Sequence, residues 1–355
     1  MNLKEAYQNK RVLVTGHTGF KGSWLALWLT KMGAQVTGLA LAPQTDQEHF
    51  NLLGLADRLD HHVCDIRDAG AVDRVFKEAQ PEILFHLAAQ PLVRYSYQEP
   101  KETFDTNVGG SVNILEAVRK SPSLRSVVYI TSDKCYKNKE WNFGYRENDE
   151  LGGHDPYSAS KAAAEVLFAS YEKSFFDLMP HLGVATARAG NVIGGGDWAL
   201  DRIFPDCVRS LVANQPIGVR NPIATRPWQH VLDPLSGYLR LGALLLEEPK
   251  KFGGAWNFGP SVTSVMPVKA LVEEIVGLWG SGSWQDQSDP KAHHEATLLH
   301  LNCDKALQFL DWKPTWDFKR SVGESLRWYK SLHQGESALD LTSAQIDQFI
   351  CDASL

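Results

Sequence analysis

Arg11 to Thr15 is an apolar run of strand length, followed at once by Gly16-His17-Thr18-Gly19-Phe20-Lys21-Gly22 and an apolar helical stretch from about Ser23 to Met32. Strand, glycine turn and helix in immediate succession leave few folds open. Glycines at 16, 19 and 22 permit a tight turn, close approach of backbone to a pyrophosphate and close packing of the helix, whose N-terminus then faces negative charge. A glycine-rich turn with no ligand is the plain alternative, and the rest of the chain has to decide.

Gln35 to Leu41, Ile83 to Ala88 and Ser126 to Thr131 read as further strands, with helical stretches near Ala69 to Ala79 and Thr103 to Ser121 between them. A long helix is expected from Tyr157 to about Phe176, then a strand over Val184 to Ala189. This alternation predicts an α/β fold, a doubly wound parallel sheet of Rossmann type. Beyond it Gly194-Gly195-Gly196, Pro205, Pro216, Pro222 and Pro227 punctuate shorter elements, which predicts a smaller α+β C-terminal domain with loops able to close over a ligand. The expected division is a dinucleotide-binding domain over 1–187 and a substrate domain mainly over 188–355, with some segments returning to the first. From about Gly335 a helical tail follows, to which no role is assigned.

The 355 residues carry a net charge of −6 without a basic run, so there is no electrostatic reason to expect nucleic acid. Cys64, Cys135, Cys207, Cys303 and Cys351 are odd in number and scattered, which favours neither a disulfide framework nor a metal site and suits a reducing cytoplasm. Charges occupy the N-terminus where a signal peptide needs an apolar stretch, and no apolar run reaches the length of a membrane span, so no membrane partner is expected.

The reactive groups come later. In Tyr157-Ser158-Ala159-Ser160-Lys161 the four-residue spacing puts tyrosine and lysine on one helical face, where the ammonium is expected to lower the phenol pKa for proton exchange with an alcohol. Ser132, at the end of an apolar strand, can hydrogen-bond the same oxygen, and Asp133 and Lys134 beside it supply a second proton-transfer pair. Asp133 and Lys134 read as a local ion pair are the bland alternative. Asp65, in Cys64-Asp65-Ile66-Arg67-Asp68, fits an adenine amino group or, equally, a helix cap. Leu87-Ala88-Ala89-Gln90 sets small residues at a strand end where bulk would exclude a cofactor, and Asn107 follows on the next helix.

The order of these motifs resembles the extended short-chain dehydrogenase/reductase family over nearly the whole chain, as far as Leu301-Asn302-Cys303-Asp304-Lys305-Ala306. The resemblance implies Ser132, Tyr157 and Lys161 as catalytic residues and Gly16, His17, Gly19, Phe20, Lys21, Gly22, Asp65, Ile66, Leu87, Ala88, Ala89, Asn107, Tyr157 and Lys161 as the cofactor site. Arg188-Ala189-Gly190-Asn191-Val192-Ile193-Gly194 and Arg226-Pro227-Trp228-Gln229-His230-Val231 resemble the segments that hold a substrate diphosphate in sugar-nucleotide enzymes. Gln90, Asn191, Arg202, Arg226 and His230 are the substrate residues so implied.

Epimerases of this family usually carry small or neutral residues at 133 and 134. Sugar-nucleotide 4,6-dehydratases, which oxidise C4, eliminate water across C5 and C6 and return the hydride to C6, carry an acidic pair; Asp133 is the candidate acid and Lys134 a departure. With that lysine and the two motifs quoted, the chain most resembles the branch acting on CDP-glucose, and the resemblance implies a cytoplasmic step toward deoxy- and dideoxy-sugars of bacterial surface polysaccharide such as O-antigen. The second strand ends Leu39-Ala40-Leu41-Ala42-Pro43 without the acidic ribose reader. NAD is still the expected cofactor, because an internal redox cycle gains nothing from NADPH, and helices near Thr103 to Ser121 and Ser158 to Phe176 imply a homodimer or homotetramer. A nucleoside-diphospho-sugar 4-epimerase and a non-catalytic NAD-binding sensor or scaffold are the competing readings.

Overall fold

The structure is a computed structural model that describes residues 2–288 and 298–355. Seven parallel strands form its central sheet: β1 (Arg11–Thr15), β2 (Gln35–Ala40), β3 (Asp60–Val63), β4 (Ile83–His86), β5 (Ser126–Ile130), β6 (Gly183–Ala189) and β7 (Gly254–Phe258). Their spatial order is β7-β6-β5-β4-β1-β2-β3. The order reverses between β1 and β4, and in such sheets ligands bind at the carboxyl ends beside that switch point. β4, β5 and β6 are buried along their whole length, as a sheet covered on both faces requires.

Strand alternation sorts the core into two layers. Val12, Val14, Phe85 and Val128 pack with Trp24 and Trp28 of the helix Phe20–Lys31, while Leu13, Leu84, Val127 and Tyr129 pack with Ile114, Leu115 and Phe168 on the other face. Segments beyond residue 188 contribute to this body. The helix Leu232–Glu247 accepts Tyr7 Oη on the Leu239 carbonyl at 2.6 Å and Ser126 Oγ on the Gly242 carbonyl at 2.8 Å, and β7 pairs with β6. Among the described residues, three two-stranded pieces lie outside the main sheet: Val192–Ile193 with Gln229–His230, Thr225–Pro227 with Val265–Pro267, and Ile217–Val219 with Trp284–Asp286.

The tail forms the helix Ala338–Ala353 and packs on the glycine-loop helix, with Phe349 edge-on to Trp28 at 5.8 Å and Thr342 Oγ1 3.0 Å from His49 Nε2. Where one helix is expected near Thr103 to Ser121, there are two, Pro100–Phe104 and Ser111–Lys120, joined by a wide turn at Asp105–Gly110. Gly110 lies so close to Ile66 that a Cβ would come within 2.6 Å of its side chain, and the widened turn carries Asn107 to the exit of β4.

Candidate active site

At the switch point Gly16 adopts φ +75°, and a Cβ on it would lie 2.8 Å from the Ala88 backbone nitrogen. Gly22 presses on the same loop: a Cβ there would fall 2.1 Å from the Gly16 carbonyl oxygen. Gly19 is the N-cap of the 12-residue helix Phe20–Lys31, and Phe20 is half-buried beside Gly194. Thr15 Oγ1 accepts the N–H groups of Leu87 and Ala88 at 3.1 Å each, locking the ends of β1 and β4 with Ala88 and Ala89 on the crevice. A backbone-lined cradle at the start of a helix fits the pyrophosphate of a dinucleotide.

His17 goes the other way. Its ring packs on Gly38, where a Cβ would meet it at 2.4 Å, and its Nε2 shares a 2.7 Å hydrogen bond with His61 Nδ1. Burial, then the neighbouring His61, push its pKa down to about 3, so the ring is neutral and gives no charge to a phosphate. The expected cofactor contact is therefore confined to its backbone. Lys21 does reach the crevice, with Nζ 3.4 Å from Tyr238 Oη. Burial, then the nearby Arg202, lower its pKa to about 7.

Asp65, at the exit of β3, is gripped by Arg67 through Nε at 2.9 Å and Nη2 at 2.7 Å, and Arg67 holds its pKa below the usual carboxylate range. It caps no helix; Asp68 caps Ala69–Ala79, accepting from Gly70 and Ala71 N–H. The Ile66 side chain is buried under Gly110. Asn107 joins three pieces, accepting the Gln90 N–H at 2.8 Å and donating to the Gln90 carbonyl at 3.1 Å and Ser160 Oγ at 2.9 Å. Gln90 itself donates to Thr103 Oγ1 at 2.8 Å and the Leu92 carbonyl at 3.1 Å, so its amide is spent on fixing the β4 exit.

Ser132 is the N-cap of the single turn Asp133–Cys135 that follows β5: its Oγ accepts the Lys134 N–H at 3.2 Å and donates to Asp133 Oδ1 at 3.0 Å. Asp133 is 1 % exposed, and its Oδ1 lies 3.4 Å from Lys134 Nζ. Tyr157 and Lys161 occupy the first turns of the helix Pro156–Ser174, which starts on a proline and is capped by Asp155, accepting the Ser158 N–H at 2.9 Å. Both are buried. Burial pushes the phenol up to about 12, against the pull of the Ser132 hydroxyl, and pushes the Lys161 ammonium down to about 8. The expected lowering of the phenol by Lys161 is not found: burial raises the phenol, and the groups that pull it down are the Ser132 hydroxyl and the Arg202 charge.

Among the expected substrate residues, Arg202 donates to Asp197 Oδ2 at 2.9 Å and its charge bears on Tyr157 and Lys21, so it faces the cluster. Asn191 does too, its Oδ1 accepting from Lys134 Nζ at 3.0 Å. Arg226 stands on the strand pair Thr225–Pro227/Val265–Pro267 and donates to the Thr225 carbonyl. His230 is displaced from the expectation. It is fully buried, 4.7 Å from the Trp316 ring and 5.7 Å from Trp24, because the short strand Gln229–His230 turns it into the core. Among the described residues no three His, Cys, Asp or Glu side chains are arranged to hold a metal.

A model of the GDP-mannose 4,6 dehydratase family matches residues 13–325. The chain belongs to that family. It is 48 % identical over 353 residues to the CDP-glucose 4,6-dehydratase of Salmonella typhimurium, covering 98 % of each chain. It is also 26 % identical over 325 residues to the UDP-glucose 4-epimerase of Mycolicibacterium smegmatis, covering 91 % of this chain and all of that one. The solved dTDP-glucose 4,6-dehydratase of Streptomyces venezuelae, with NAD and TYD bound, superposes with a TM-score of 0.78 at 22 % identity over 92 % of this chain and 99 % of its own. At that identity the likeness speaks for the fold.

Family membership leaves several groups at this site that sequence reasoning passed over. Tyr238 carries no sequence signal, sitting mid-way in a leucine-rich helix. Glu165 did carry one, since it follows Lys161 by four residues on the same face. Asp197, which holds Arg202, lies after the glycine triplet, where the pattern gives no element to place it.

Proposed function

We propose that the chain is an NAD-dependent lyase that converts CDP-glucose to CDP-4-keto-6-deoxy-glucose and water. The observation that carries this reading is the buried Asp133, paired with Lys134 and hydrogen-bonded by Ser132 next to Tyr157. A 4-epimerase cycle needs Ser132, Tyr157 and Lys161; a second acid–base pair is what elimination adds. The nucleotide follows the relative of 48 % identity, whose name specifies CDP-glucose.

A bound oxidised dinucleotide supplies reversible hydride storage and a positive charge, so the overall reaction needs no external oxidant. Tyr157 takes the proton of the 4-hydroxyl, and Ser132 holds the same oxygen. With the phenol near 12 in the free protein, the Ser132 hydroxyl and the Arg202 charge are the groups that favour its ionised form. When C4 is a ketone its 5-hydrogen is acidic. Lys134 assists its removal, while Asp133 gives a proton to the departing 6-hydroxyl, which leaves as water. Arg226, Arg202 and Asn191 hold the diphosphate, as a paired anion requires donors from several elements.

Residues 1–187 with the returning helix Leu232–Glu247, β7 and the tail helix Ala338–Ala353 form the dinucleotide-binding body, and the other described segments beyond 188 the sugar-nucleotide lobe. The helices Ser111–Lys120 and Pro156–Ser174 are the faces we assign to pairing in a homodimer or homotetramer. No described helix is long and apolar enough to cross a membrane. We place the enzyme in the cytoplasm, with a small-molecule substrate, on the way to deoxy-sugars of surface polysaccharide.

The test is to incubate the purified protein with CDP-, dTDP-, UDP- and GDP-glucose and analyse products by mass spectrometry and NMR. A 4-keto-6-deoxy product from CDP-glucose is expected. A 4-epimer, or no turnover of CDP-glucose, overturns the assignment.

A further inference from the structure

β5 and β6 are hydrogen-bonded parallel neighbours, so their exits, Ser132-Asp133-Lys134 and Gly190-Asn191, emerge side by side. The two exits are fitted to each other residue by residue. Gly190 backs the acid: a Cβ there would lie 2.9 Å from Asp133 Oδ2. Asn191 meets the lysine, its Oδ1 accepting from Lys134 Nζ at 3.0 Å, closer than the 3.4 Å that separates the same ammonium from Asp133 Oδ1.

Lys134 is a four-carbon stem with a side chain 26 % exposed, and a group of that kind has many rotamers unless something holds it. We propose that Asn191 is a positioning residue for elimination, its carboxamide oxygen holding the Lys134 ammonium in register with Asp133. This rests on the function proposed above and goes further, because it gives Asn191 a part in turnover besides contact with the diphosphate. An amide has two ends of opposite polarity. The oxygen serves Lys134, while the NH₂ end has the sign to donate to a substrate anion, so one side chain joins substrate capture to orientation of the acid–base pair.

Asn191 is exposed, so substitution there leaves the fold intact. Steady-state kinetics with CDP-glucose on Asn191→Ala, Asn191→Asp, Lys134→Met and the double variant Lys134→Met/Asn191→Ala separate the two ends of the amide. Asn191→Ala is expected to lower kcat about tenfold, the loss of one charge-assisted hydrogen bond. Asn191→Asp keeps an oxygen acceptor and repels the diphosphate, so kcat stays within about threefold of wild type while KM rises. In the Lys134→Met background Asn191→Ala is expected to bring no further fall in kcat, since its partner is already gone. A wild-type kcat with a raised KM in Asn191→Ala, or effects on kcat that multiply in the double variant, overturns the proposal. If wild-type protein does not turn over CDP-glucose, the substrate assignment fails instead, and the same comparison on the nucleoside-diphospho-glucose it does use still decides the part of Asn191.

Discussion

Glu165→Gln keeps the shape of a side chain that ties three elements together beneath the candidate site, and removes its charge. Glu165 Oε2 accepts from Arg188 Nη2 at 2.7 Å and Thr186 Oγ1 at 3.0 Å, and Oε1 accepts from Thr131 Oγ1, the residue before Ser132. Arg188 and Glu165 are 4 % and 3 % exposed. Burial opposes the Arg188 charge, and Glu165 more than offsets it, holding the guanidinium above its ordinary range. Removing one member of a buried pair leaves the other uncompensated, which costs about 3–5 kcal/mol. With 355 residues the unfolding entropy is about 0.75 kcal/mol/K at about 2.1 cal/mol/K per residue, so Tm should fall by about 4–7 °C. Differential scanning calorimetry, checked against urea midpoints, measures this directly. Replacing both partners, as Glu165→Gln/Arg188→Met, removes the stranded charge and should melt above Glu165→Gln, although Tyr136 Oη and the Glu147 carbonyl lose Arg188 as a donor. A Glu165→Gln protein that melts within about 1 °C of wild type, or a double variant that melts below it, refutes the reasoning.

Tyr157→Phe removes the acceptor of the 4-hydroxyl proton and should lower kcat by about two orders of magnitude or more with little change in substrate affinity by calorimetry; wild-type turnover would remove Tyr157 from the site. Asp133→Asn keeps the shape but gives no acidic proton, so rapid-quench analysis should find a 4-keto hexose that retains its 6-hydroxyl; 4-keto-6-deoxy product at the wild-type rate would make the Asp133/Lys134 pair structural. Lys21 is depressed from 10.5 to about 7 by burial and then by Arg202, so between about pH 7 and 10.5 the unfolded chain binds the extra proton and folding stability rises with pH. Lys21→Met should therefore raise Tm of nucleotide-free protein by about 6 °C at pH 6.5, a gain that fades toward pH 10.5, and a variant melting below wild type at pH 6.5 contradicts a buried cation there.

The sheet was legible because its period is local. Each buried strand is a short apolar run, so pattern alone locates β1, β4, β5 and β6, while the helix expected from about Ser23 starts three residues earlier, at Phe20, and takes Gly22 into its first turn. β7 was not legible, since a strand that returns to the sheet after the 190–230 loops is set by pairing with β6, a contact no local pattern encodes. The same limit applies to side-chain direction. His17 and His230 sit in motifs that point to ligands, yet one packs on Gly38 and the other between Trp24 and Trp316. Motif position marks the backbone, and the facing element decides where the ring goes.

Distance along a parallel sheet explains why elimination chemistry can be added to an oxidation site without a new fold. Neighbouring strands lie about 4.8 Å apart, so the exits of β5 and β6 bring side chains within hydrogen-bond reach whatever their separation in sequence. On the function proposed above, Ser132 and Tyr157 at the first of these exits would address the oxidised carbon, and Asp133 and Lys134 the adjoining carbons, provided the second exit makes room and supplies an anchor. Gly190, with no Cβ to strike Asp133, makes the room, and Asn191 supplies the anchor at 3.0 Å. On this argument a bulky residue at 190 should be incompatible with Asp133 in its present rotamer, and the identity of 190–191 should report on elimination as much as that of 133–134.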